Sequence, residues 1–351
     1  MVNYTFRKNI ERLAGYVPGF QPADKSVIKI NTNENPYPPS PKVFEALSRL
    51  DGEALRRYPP IYCDAFRQAA AQVHGIDPAM IIAGNGADEL LSIIVRCCCD
   101  KDRPLAYPVP TYSLYPVLAA IQDAAVIEVP YPHDYSIPVP LAQANAPLTI
   151  LCNPNAPTCT FVGVEQVEKL ARRLGGILLI DEAYVDFAGD NCLRLLKKND
   201  NLMILRSMSK GYSLAGMRFG YAMGSPRIIE AMLKVKDSYN VNIAAQQAAT
   251  AAIKDQRYFK QNIQKIIYER EKLIPALREL GFKTGDSQTN FILAEITDPL
   301  AQQVYEKLIE RNVYIRYFNK QGLNDKLRIT VGAGPQNDAL LAALREIILK
   351  E

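Results

Sequence analysis

Histidine, long apolar runs and paired cysteine motifs are scarce or absent in this chain of 351 residues. The two histidines, His74 and His133, are too few for a histidine-based triad or metal site, and His74 precedes Gly75 at an expected helix C-terminus. The apolar runs fall far below the ~18 residues of a membrane-spanning helix. The first 16 residues lack the apolar core of a secretory signal. We therefore expect no bound metal, no membrane partner and no secretory signal.

The cysteines argue against a disulfide-bonded protein and against a zinc protein, and the charges argue against a nucleic-acid-binding protein. The seven cysteines are an odd number, and Cys97, Cys98 and Cys99 are adjacent, which is a poor basis for disulfide pairing. No pair of Cys-X-X-Cys motifs indicates zinc. Buried thiols in a reducing cytoplasm are the expected state. The net charge of +4 is scattered rather than gathered in a basic stripe, so we expect no nucleic-acid partner.

The order of helical and strand patterns predicts the architecture. At ~150 residues per domain the chain is long enough for two. Helical patterns alternate with short apolar strands through the first two thirds, which predicts a mostly parallel sheet covered by helices on both faces. After Ser225 a long amphipathic helix, about 258–280, is expected to connect to a smaller α+β unit with strands at 290–295, 313–317 and 327–331. The predicted units are an N-terminal arm with part of the small domain (1–40), a large domain (41–240) and the connecting helix with the rest of the small domain (241–351).

The most informative segment is RSMSKGYSLAGMR, residues 206–218. It places Lys210 among small hydroxylated residues and glycines, with Arg218 eight positions later (218 − 210). Hydroxyl groups and a guanidinium are suited to bind phosphate oxygens. The preceding LMIL predicts a buried strand, so Lys210 is expected beyond its carboxyl end, where open α/β sheets bind ligands.

A second buried strand, ILLI (177–180), ends in Asp181, and Tyr184 follows. Alone, Asp181 could equally cap a helix. Together, a buried carboxylate, a lysine and a phosphate nest are what pyridoxal 5′-phosphate requires. The lysine binds that cofactor as an imine, and the carboxylate keeps its ring nitrogen protonated. The strand-to-helix segment GNGADEL (84–90) adds an anion site through the backbone amides of Ala87 and Asp88.

With these motifs the chain resembles the fold-type I aminotransferases, and the histidinol-phosphate aminotransferases in particular, from about Tyr16 to the final helix. The resemblance implies a large domain with a seven-stranded-type, mostly parallel sheet between helices. It also implies that Lys210, Asp181 and Tyr184 are catalytic, with Tyr184 bonded to the phenolic oxygen of the cofactor. The remaining cofactor contacts that it implies are Ala87, Asp88, Ser207, Ser209 and Arg218 for the phosphate and Tyr112 for ring stacking, although Tyr112 could also be a packed loop residue.

Two further features depend on the resemblance. Tyr58, in Arg-Tyr-Pro, matches a tyrosine that crosses a homodimer interface to the cofactor phosphate of the partner subunit. NPNAPTC (153–159) departs from the usual NPNNPTG, because Ala156 stands where an asparagine bonds the phenolic oxygen. Either Asn153 or Asn155 supplies that amide instead, or Tyr184 acts alone.

The resemblance also implies a substrate site. Arg328, in LRITVG, matches the arginine that binds the anionic group of the substrate, and Arg316 matches a second arginine, unless it is a surface charge at a strand edge. Tyr16 and Asn35 match an arm and a loop that close over the substrate. Two arginines suit a dianionic phosphate and can also bind glutamate.

The implied reaction is transamination of L-histidinol phosphate with 2-oxoglutarate, giving imidazole-acetol phosphate and L-glutamate in histidine biosynthesis. An aromatic amino-acid aminotransferase or a threonine-phosphate decarboxylase would use the same cofactor residues and is the first alternative. A regulatory protein that binds the cofactor without chemistry is the second, and the lack of a fused DNA-binding module argues against it.

Overall fold

The computed structural model describes residues 5–24 and 26–349. Its strands, in chain order, are β1 (Ile28–Lys29), β2 (Ile81–Gly84), β3 (Leu105–Val109), β4 (Val126–Pro130), β5 (Leu148–Cys152), β6 (Ile177–Asp181), β7 (Leu202–Ser207), β8 (Gly220–Gly224), β9 (Lys283–Thr284), β10 (Phe291–Glu295), β11 (Val313–Tyr314), β12 (Arg316–Tyr317) and β13 (Lys326–Thr330). Within the described ranges, no helix is both long and apolar enough to cross a bilayer.

The α-helices are α1 (Lys8–Glu11), α2 (Pro41–Ser48), α3 (Gly52–Arg56), α4 (Asp64–His74), α5 (Ala87–Cys98), α6 (Tyr115–Ile121), α7 (Val164–Arg173), α8 (Pro226–Val235), α9 (Ile243–Lys254), α10 (Gln256–Glu279), α11 (Ala301–Glu310) and α12 (Gly334–Ile348). Short 3₁₀ turns at Pro78–Met80, Val139–Gln143, Val185–Phe187, Leu193–Lys197 and Ala215–Met217 join them. Helix α2 has a typical start: Ser40 caps it by accepting a hydrogen bond from the Lys42 amide, with Pro41 in the first turn.

The large sheet has seven strands in the order β2-β8-β7-β6-β5-β3-β4. Strands β3 to β7 pair in parallel, and β8 is antiparallel to both β7 and β2. Successive side chains enter two separate cores: Leu178 and Ile180 lie in one, and Leu179 lies in the other with residues of α5 and α8. Burial on both faces explains why these strands read as continuous apolar runs, and it confirms the predicted fold class.

Strand directions bring the predicted site to one edge of this sheet. Asp181 ends β6 and Ser207 ends the neighbouring parallel strand β7. Ser207 is in register with Gly220 of β8, which is in register with Gly84 at the end of β2. Because β2 and β7 are each antiparallel to β8, they run in the same direction. The loop before α5 and the loop of Lys210 therefore emerge at the same edge.

The C-terminal part forms a second core with its own sheet, β12-β13-β10-β9, covered by α10, α11 and α12. Strand β1 pairs in parallel with β11, which attaches the N-terminal segment to this unit. The predicted strand 313–317 is wrong as a single element. It is divided at Ile315, because Val313–Tyr314 pairs with β1 whereas Arg316–Tyr317 pairs with β13.

Helix α9 lies close to the predicted boundary at residue 240. Its buried residues, including Ala245, Ala248 and Ile253, belong to the same core as α4 and the large sheet. The helix therefore packs with the large unit, although the predicted 241–351 unit includes it. The three-part division itself stays a prediction.

Candidate active site

Lys210 lies in the loop after β7, at the predicted edge of the sheet. Its Nζ donates a hydrogen bond to the carbonyl oxygen of Thr32 at 2.9 Å. Burial lowers the pKa of this amine to about 8, and the nearby Arg328 and Arg218 lower it too, whereas Glu34 and Asp88 raise it. A lysine with such a pKa is neutral in a useful fraction of molecules near pH 7, as a nucleophile or base must be.

Asp181 is 3% exposed, so its carboxylate lies in the protein interior. Its Oδ2 accepts a hydrogen bond from Tyr115 Oη at 2.7 Å, and its Oδ1 accepts one from the Ala183 amide at 3.1 Å. Burial raises the pKa of this carboxyl to about 6, and the bonds from Tyr115 and Ala183 oppose that rise. A buried carboxylate without a cationic partner is costly, which suits it to a protonated ring nitrogen. Tyr115 was not identified from the sequence, where nothing separates it from an ordinary buried helix residue.

Tyr184 lies near Lys210, whose Nζ is 5.9 Å from the centroid of the tyrosine ring. The Tyr184 hydroxyl accepts a hydrogen bond from Asn33 Nδ2 at 2.9 Å. Burial raises the pKa of Tyr184 to about 12, against the lowering effects of Arg328 and Asn33. The hydroxyl is therefore protonated at neutral pH and can donate to a phenolate oxygen.

Donor groups suited to an anion come together from two loops. The Arg218 guanidinium contacts residues of both loops, with Nη1 3.5 Å from Ser209 Oγ and Nη2 3.4 Å from Asp88 Oδ2. The Ser209 amide donates to Ser207 Oγ at 3.2 Å, and both serines are buried. Hydroxyls, a guanidinium and the amides at the start of α5 are the donor set that a phosphate requires.

Two glycines make this arrangement possible. Gly86 has φ +90°, and a Cβ on it would lie 2.8 Å from Arg218 Nη2. A Cβ on Gly220 would lie 2.5 Å from the backbone nitrogen of Ala87, the first residue of α5. Any larger residue would therefore displace either the guanidinium or the helix amides. The cradle fits the phosphate of the predicted cofactor.

Tyr112 connects the two halves of the pocket. Its ring packs edge-on against Tyr115 at 5.6 Å and against Tyr16 at 6.0 Å between centroids. Its Oη donates to Asp88 Oδ1 at 3.3 Å. Tyr112, the predicted stacking residue, thus lies between Tyr115, which bonds Asp181, and Asp88, which pairs with Arg218. Tyr16 packs against the same ring.

The two candidate asparagines are hydrogen-bonded within their own loop and, through Asn155, to the loop that follows β3. The Asn153 amide donates to the Val162 carbonyl at 3.0 Å and accepts from the Val162 amide at 2.7 Å. Asn155 Nδ2 donates to Pro110 O at 2.9 Å and to Thr158 Oγ1 at 2.8 Å. These bonds shape the loop beside Ala156, while the amide bonded to Tyr184 comes from Asn33. A cofactor contact by Asn153 or Asn155 stays a prediction.

Arg316 and Arg328 occupy directly opposed positions on β12 and β13. Both guanidinium groups lie near the Phe318 ring, with Cζ 5.3 Å and 5.5 Å from its centroid. Arg328 Nη2 donates to Asn31 O at 3.0 Å, but its Nε is buried without a hydrogen-bond partner among the described residues. Like charges opposed on a sheet repel, and an unpaired buried donor costs free energy. A bound anion would relieve both.

The last two predicted residues differ in their surroundings. Asn35 Nδ2 donates to the carbonyls of Lys210 and Gly211 at 3.1 and 3.2 Å, so it holds the lysine loop. Tyr58 is 80% exposed and stacks on Tyr239 with 4.4 Å between ring centroids. In this chain alone it belongs to the surface rather than to the pocket. Among the described residues, no group of three or more His, Cys, Asp or Glu side chains could hold a metal ion.

Comparison with known proteins decides the family. The family model for aminotransferase class I and II matches residues 25–347. The chain belongs to this aminotransferase family. It is similar to histidinol-phosphate aminotransferase 1 of Nostoc sp., with 46% identity and 99% of each chain covered. The histidinol-phosphate aminotransferase of Geotalea uraniireducens is 42% identical, over 97% of this chain and 99% of that one.

A solved structure extends the likeness to three dimensions. The histidinol-phosphate aminotransferase of Sinorhizobium meliloti, in complex with pyridoxal 5′-phosphate, superposes on this aminotransferase with a TM-score of 0.89. The two chains are 27% identical, and 99% of each is covered. The predicted family is confirmed.

Proposed function

We propose that this aminotransferase uses pyridoxal 5′-phosphate to transfer the amino group of L-histidinol phosphate to 2-oxoglutarate, in histidine biosynthesis. The products are imidazole-acetol phosphate and L-glutamate. Full-length relatives named for the reaction support the proposal. The structural observation that carries it is the opposed pair Arg316 and Arg328, with its unpartnered buried Nε.

The residues around Lys210 fit the cofactor and have separate tasks. When bound, pyridoxal 5′-phosphate supplies an electron sink that stabilises negative charge at the α-carbon of the substrate. Lys210 would hold it covalently through Nζ, and the same amine, once freed, would take the α-proton and return it. Asp181 would hold the proton on the ring nitrogen. Tyr184 Oη would donate to the phenolic oxygen.

The phosphate of the cofactor would be held by Ser207, Ser209 and Arg218 together with the amides of Ala87 and Asp88, and Tyr112 would cover one face of the ring. Tyr16, packed on Tyr112, would help to exclude water once substrate is bound. These roles are our proposals, and their support is the convergence of the side chains at one edge of the sheet.

The arginine pair defines the substrate class. Two guanidinium groups on neighbouring strands present a bidentate surface to a dianion, and the same pair can take the distal carboxylate of glutamate or 2-oxoglutarate. Phenylalanine brings only the single charge of its α-carboxylate and would leave one of the two guanidinium groups without a counter-charge. Selectivity for a phosphorylated substrate follows from the charge of the pocket.

The test compares three amino donors at equal concentration with the cofactor-loaded enzyme and 2-oxoglutarate. We expect glutamate to form rapidly from histidinol phosphate and slowly from phenylalanine, with no CO₂ released from threonine phosphate. Faster turnover of phenylalanine than of histidinol phosphate would identify the enzyme as an aromatic amino-acid aminotransferase. Release of CO₂ from threonine phosphate would identify it as a decarboxylase. Arg316→Gln should raise KM for histidinol phosphate at least ~10-fold, which is the loss of one charge-assisted contact of about 1.5–3 kcal/mol.

We also propose a homodimer in which Tyr58 reaches the cofactor phosphate of the partner subunit. The support is that Tyr58 stacks on Tyr239, and that both are exposed together with three apolar neighbours of Tyr58 in the sequence: Leu55, Ile61 and Tyr62. Such patches on a folded chain are typical of protein interfaces.

Mixed dimers test the position of Tyr58. Lys210→Ala and Tyr58→Ala chains, inactive or weak alone, should regain activity when they are unfolded and refolded together. One site of each mixed dimer would then have an intact Lys210 and an intact Tyr58 from the other chain. No gain on mixing would place Tyr58 in the site of its own chain or outside both.

The proposed location is the cytoplasm. All seven cysteines are free thiols, and six are buried, which is consistent with a reducing compartment.

A further inference from the structure

Asn33 contacts the hydroxyl of Tyr184 directly, through Nδ2 at 2.9 Å. The asparagine is 1% exposed and has φ +57°, a left-handed conformation that asparagine and glycine tolerate best. A buried amide donor aimed at a phenol oxygen strengthens that phenol as a hydrogen-bond donor, because it stabilises negative charge on the oxygen. The contact therefore bears on the hydroxyl that would face the cofactor.

The other polar atoms of Asn33 are fixed by the small domain. Its Oδ1 accepts a hydrogen bond from Thr330 Oγ1 at 3.0 Å, and its backbone N–H donates to Thr330 Oγ1 at 3.0 Å. Its carbonyl accepts from Asn290 Nδ2 at 3.0 Å. With Oδ1 engaged by a hydroxyl, the amide has one orientation, and Nδ2 is left to face Tyr184.

The residues on either side serve the same pocket through their backbone. The Asn31 carbonyl accepts from Arg328, which lies two positions before Thr330 on β13, and the Thr32 carbonyl accepts from Lys210 Nζ. Three consecutive residues, Asn31 to Asn33, thus contact the proposed substrate arginine, the lysine and the tyrosine in succession. Of these three contacts, only the one from Asn33 to Tyr184 is made by a side chain.

We propose that Asn33 is a positioning residue for the reaction: anchored by Thr330, its amide holds the Tyr184 hydroxyl as a donor to the phenolic oxygen of the cofactor. This inference rests on the proposed function, because it needs a cofactor with that oxygen. It adds a residue of the N-terminal segment to the machinery, in a chain where Ala156 offers no side-chain amide.

The experiment is a pH titration of the visible absorption band of the cofactor-loaded enzyme. Asn33→Gly removes the amide and tolerates the positive φ, and Asn33→Asp keeps the shape but replaces the donor by an acceptor. In both, Tyr184 becomes a weaker donor, the phenolate oxygen is less stabilised, and the chromophore holds its proton more tightly. We expect the midpoint to rise by ~0.5–1 pH unit, the equivalent of one hydrogen bond.

Two further variants make the test specific. Asn312→Gly changes another asparagine of positive φ, φ +60° and exposed, and should leave the midpoint where it is in the wild type. In a Tyr184→Phe background, Asn33→Gly should cause no further shift, because its effect passes through the hydroxyl. Thr330→Val, which removes the anchor and spares Asn33, should shift the midpoint in the same direction by a smaller amount.

The outcomes separate the two proposals. A wild-type protein that forms no visible band with the cofactor overturns the proposed function and this inference with it. A normal band with a midpoint unchanged in Asn33→Gly, Asn33→Asp and Thr330→Val overturns the inference alone. A shift of equal size in the Tyr184→Phe background overturns it as well, since Asn33 would then act by another route.

Discussion

The acidity of Lys210 gives a prediction that can be worked out in numbers. With a pKa of about 8 the amine is about 9% neutral at pH 7, whereas an ordinary lysine of pKa 10.5 is about 0.03% neutral. The ratio is roughly 300-fold. Because only the neutral amine attacks the aldehyde of the cofactor, the cofactor-free protein should capture it faster at pH 7 than a solvated lysine would, by at most that ratio, since an amine of lower pKa is also a weaker nucleophile.

Two substitutions should move this pKa in opposite directions. Arg328 lowers the pKa of Lys210 by repelling its charged form, so Arg328→Gln should raise it. Glu34 raises the pKa by attraction, so Glu34→Gln should lower it further. The exposed Arg194, which pairs with Glu165 and Asp190 on the surface, gives a matched control, and Arg194→Gln should leave it unchanged.

The assay follows the rate at which the visible band appears after cofactor is added to cofactor-free protein, from pH 6.5 to 10. Borohydride reduction and peptide mass then identify the modified lysine. The wild-type rate should rise through pH 8 and level off, with the midpoint higher in Arg328→Gln and lower in Glu34→Gln. A rate that still climbs at pH 10, or midpoints that move in the same direction, would refute the electrostatic argument.

Two other predictions concern the cofactor cradle and the buried carboxylate. Gly220→Ala would place a Cβ 2.5 Å from the Ala87 nitrogen, so we expect a loss of about 1–3 kcal/mol in stability and weaker cofactor binding by equilibrium titration. Gly224→Ala on the same strand meets only ordinary contacts, at 3.6 Å and beyond, and should be neutral or slightly stabilising; equal losses in both would contradict the cradle. Tyr115→Phe removes a bond that lowers the pKa of Asp181, so in the cofactor-free protein that pKa should rise above about 6, and the acid limb of cofactor affinity against pH should move to higher pH; an unmoved limb would exclude Asp181 as the titrating group.

The sequence was sufficient for the family, the fold class and the approximate position of the site. Apolar runs ending in Asp181 and Ser207 predict parallel strands that deliver polar groups to one edge, and the register of β6 and β7 has them there. Periodicity was sufficient because both faces of these strands are buried, which leaves few alternatives to a central sheet.

The contacts that orient the site were beyond the reach of sequence patterns. Tyr115 and Asn33 act through hydrogen bonds to residues 66 and 151 positions away, and nothing local marks either partner. The division of the predicted strand at Ile315 has a similar cause, since its two halves pair with strands from opposite ends of the chain. Long-range pairing, rather than local propensity, decides such details.

In the proposed function, Lys210 and the arginine pair together make this chain a transaminase for a phosphorylated amine. The most direct measurement is a single half-reaction: cofactor-loaded enzyme is mixed with histidinol phosphate, phenylalanine or threonine phosphate without any oxo-acid, and the loss of the visible band is timed. We predict fast conversion to the aminated cofactor with histidinol phosphate alone, and none in Lys210→Ala with any donor. Absence of the visible band in folded wild-type protein, or equal rates with phenylalanine, would contradict the account.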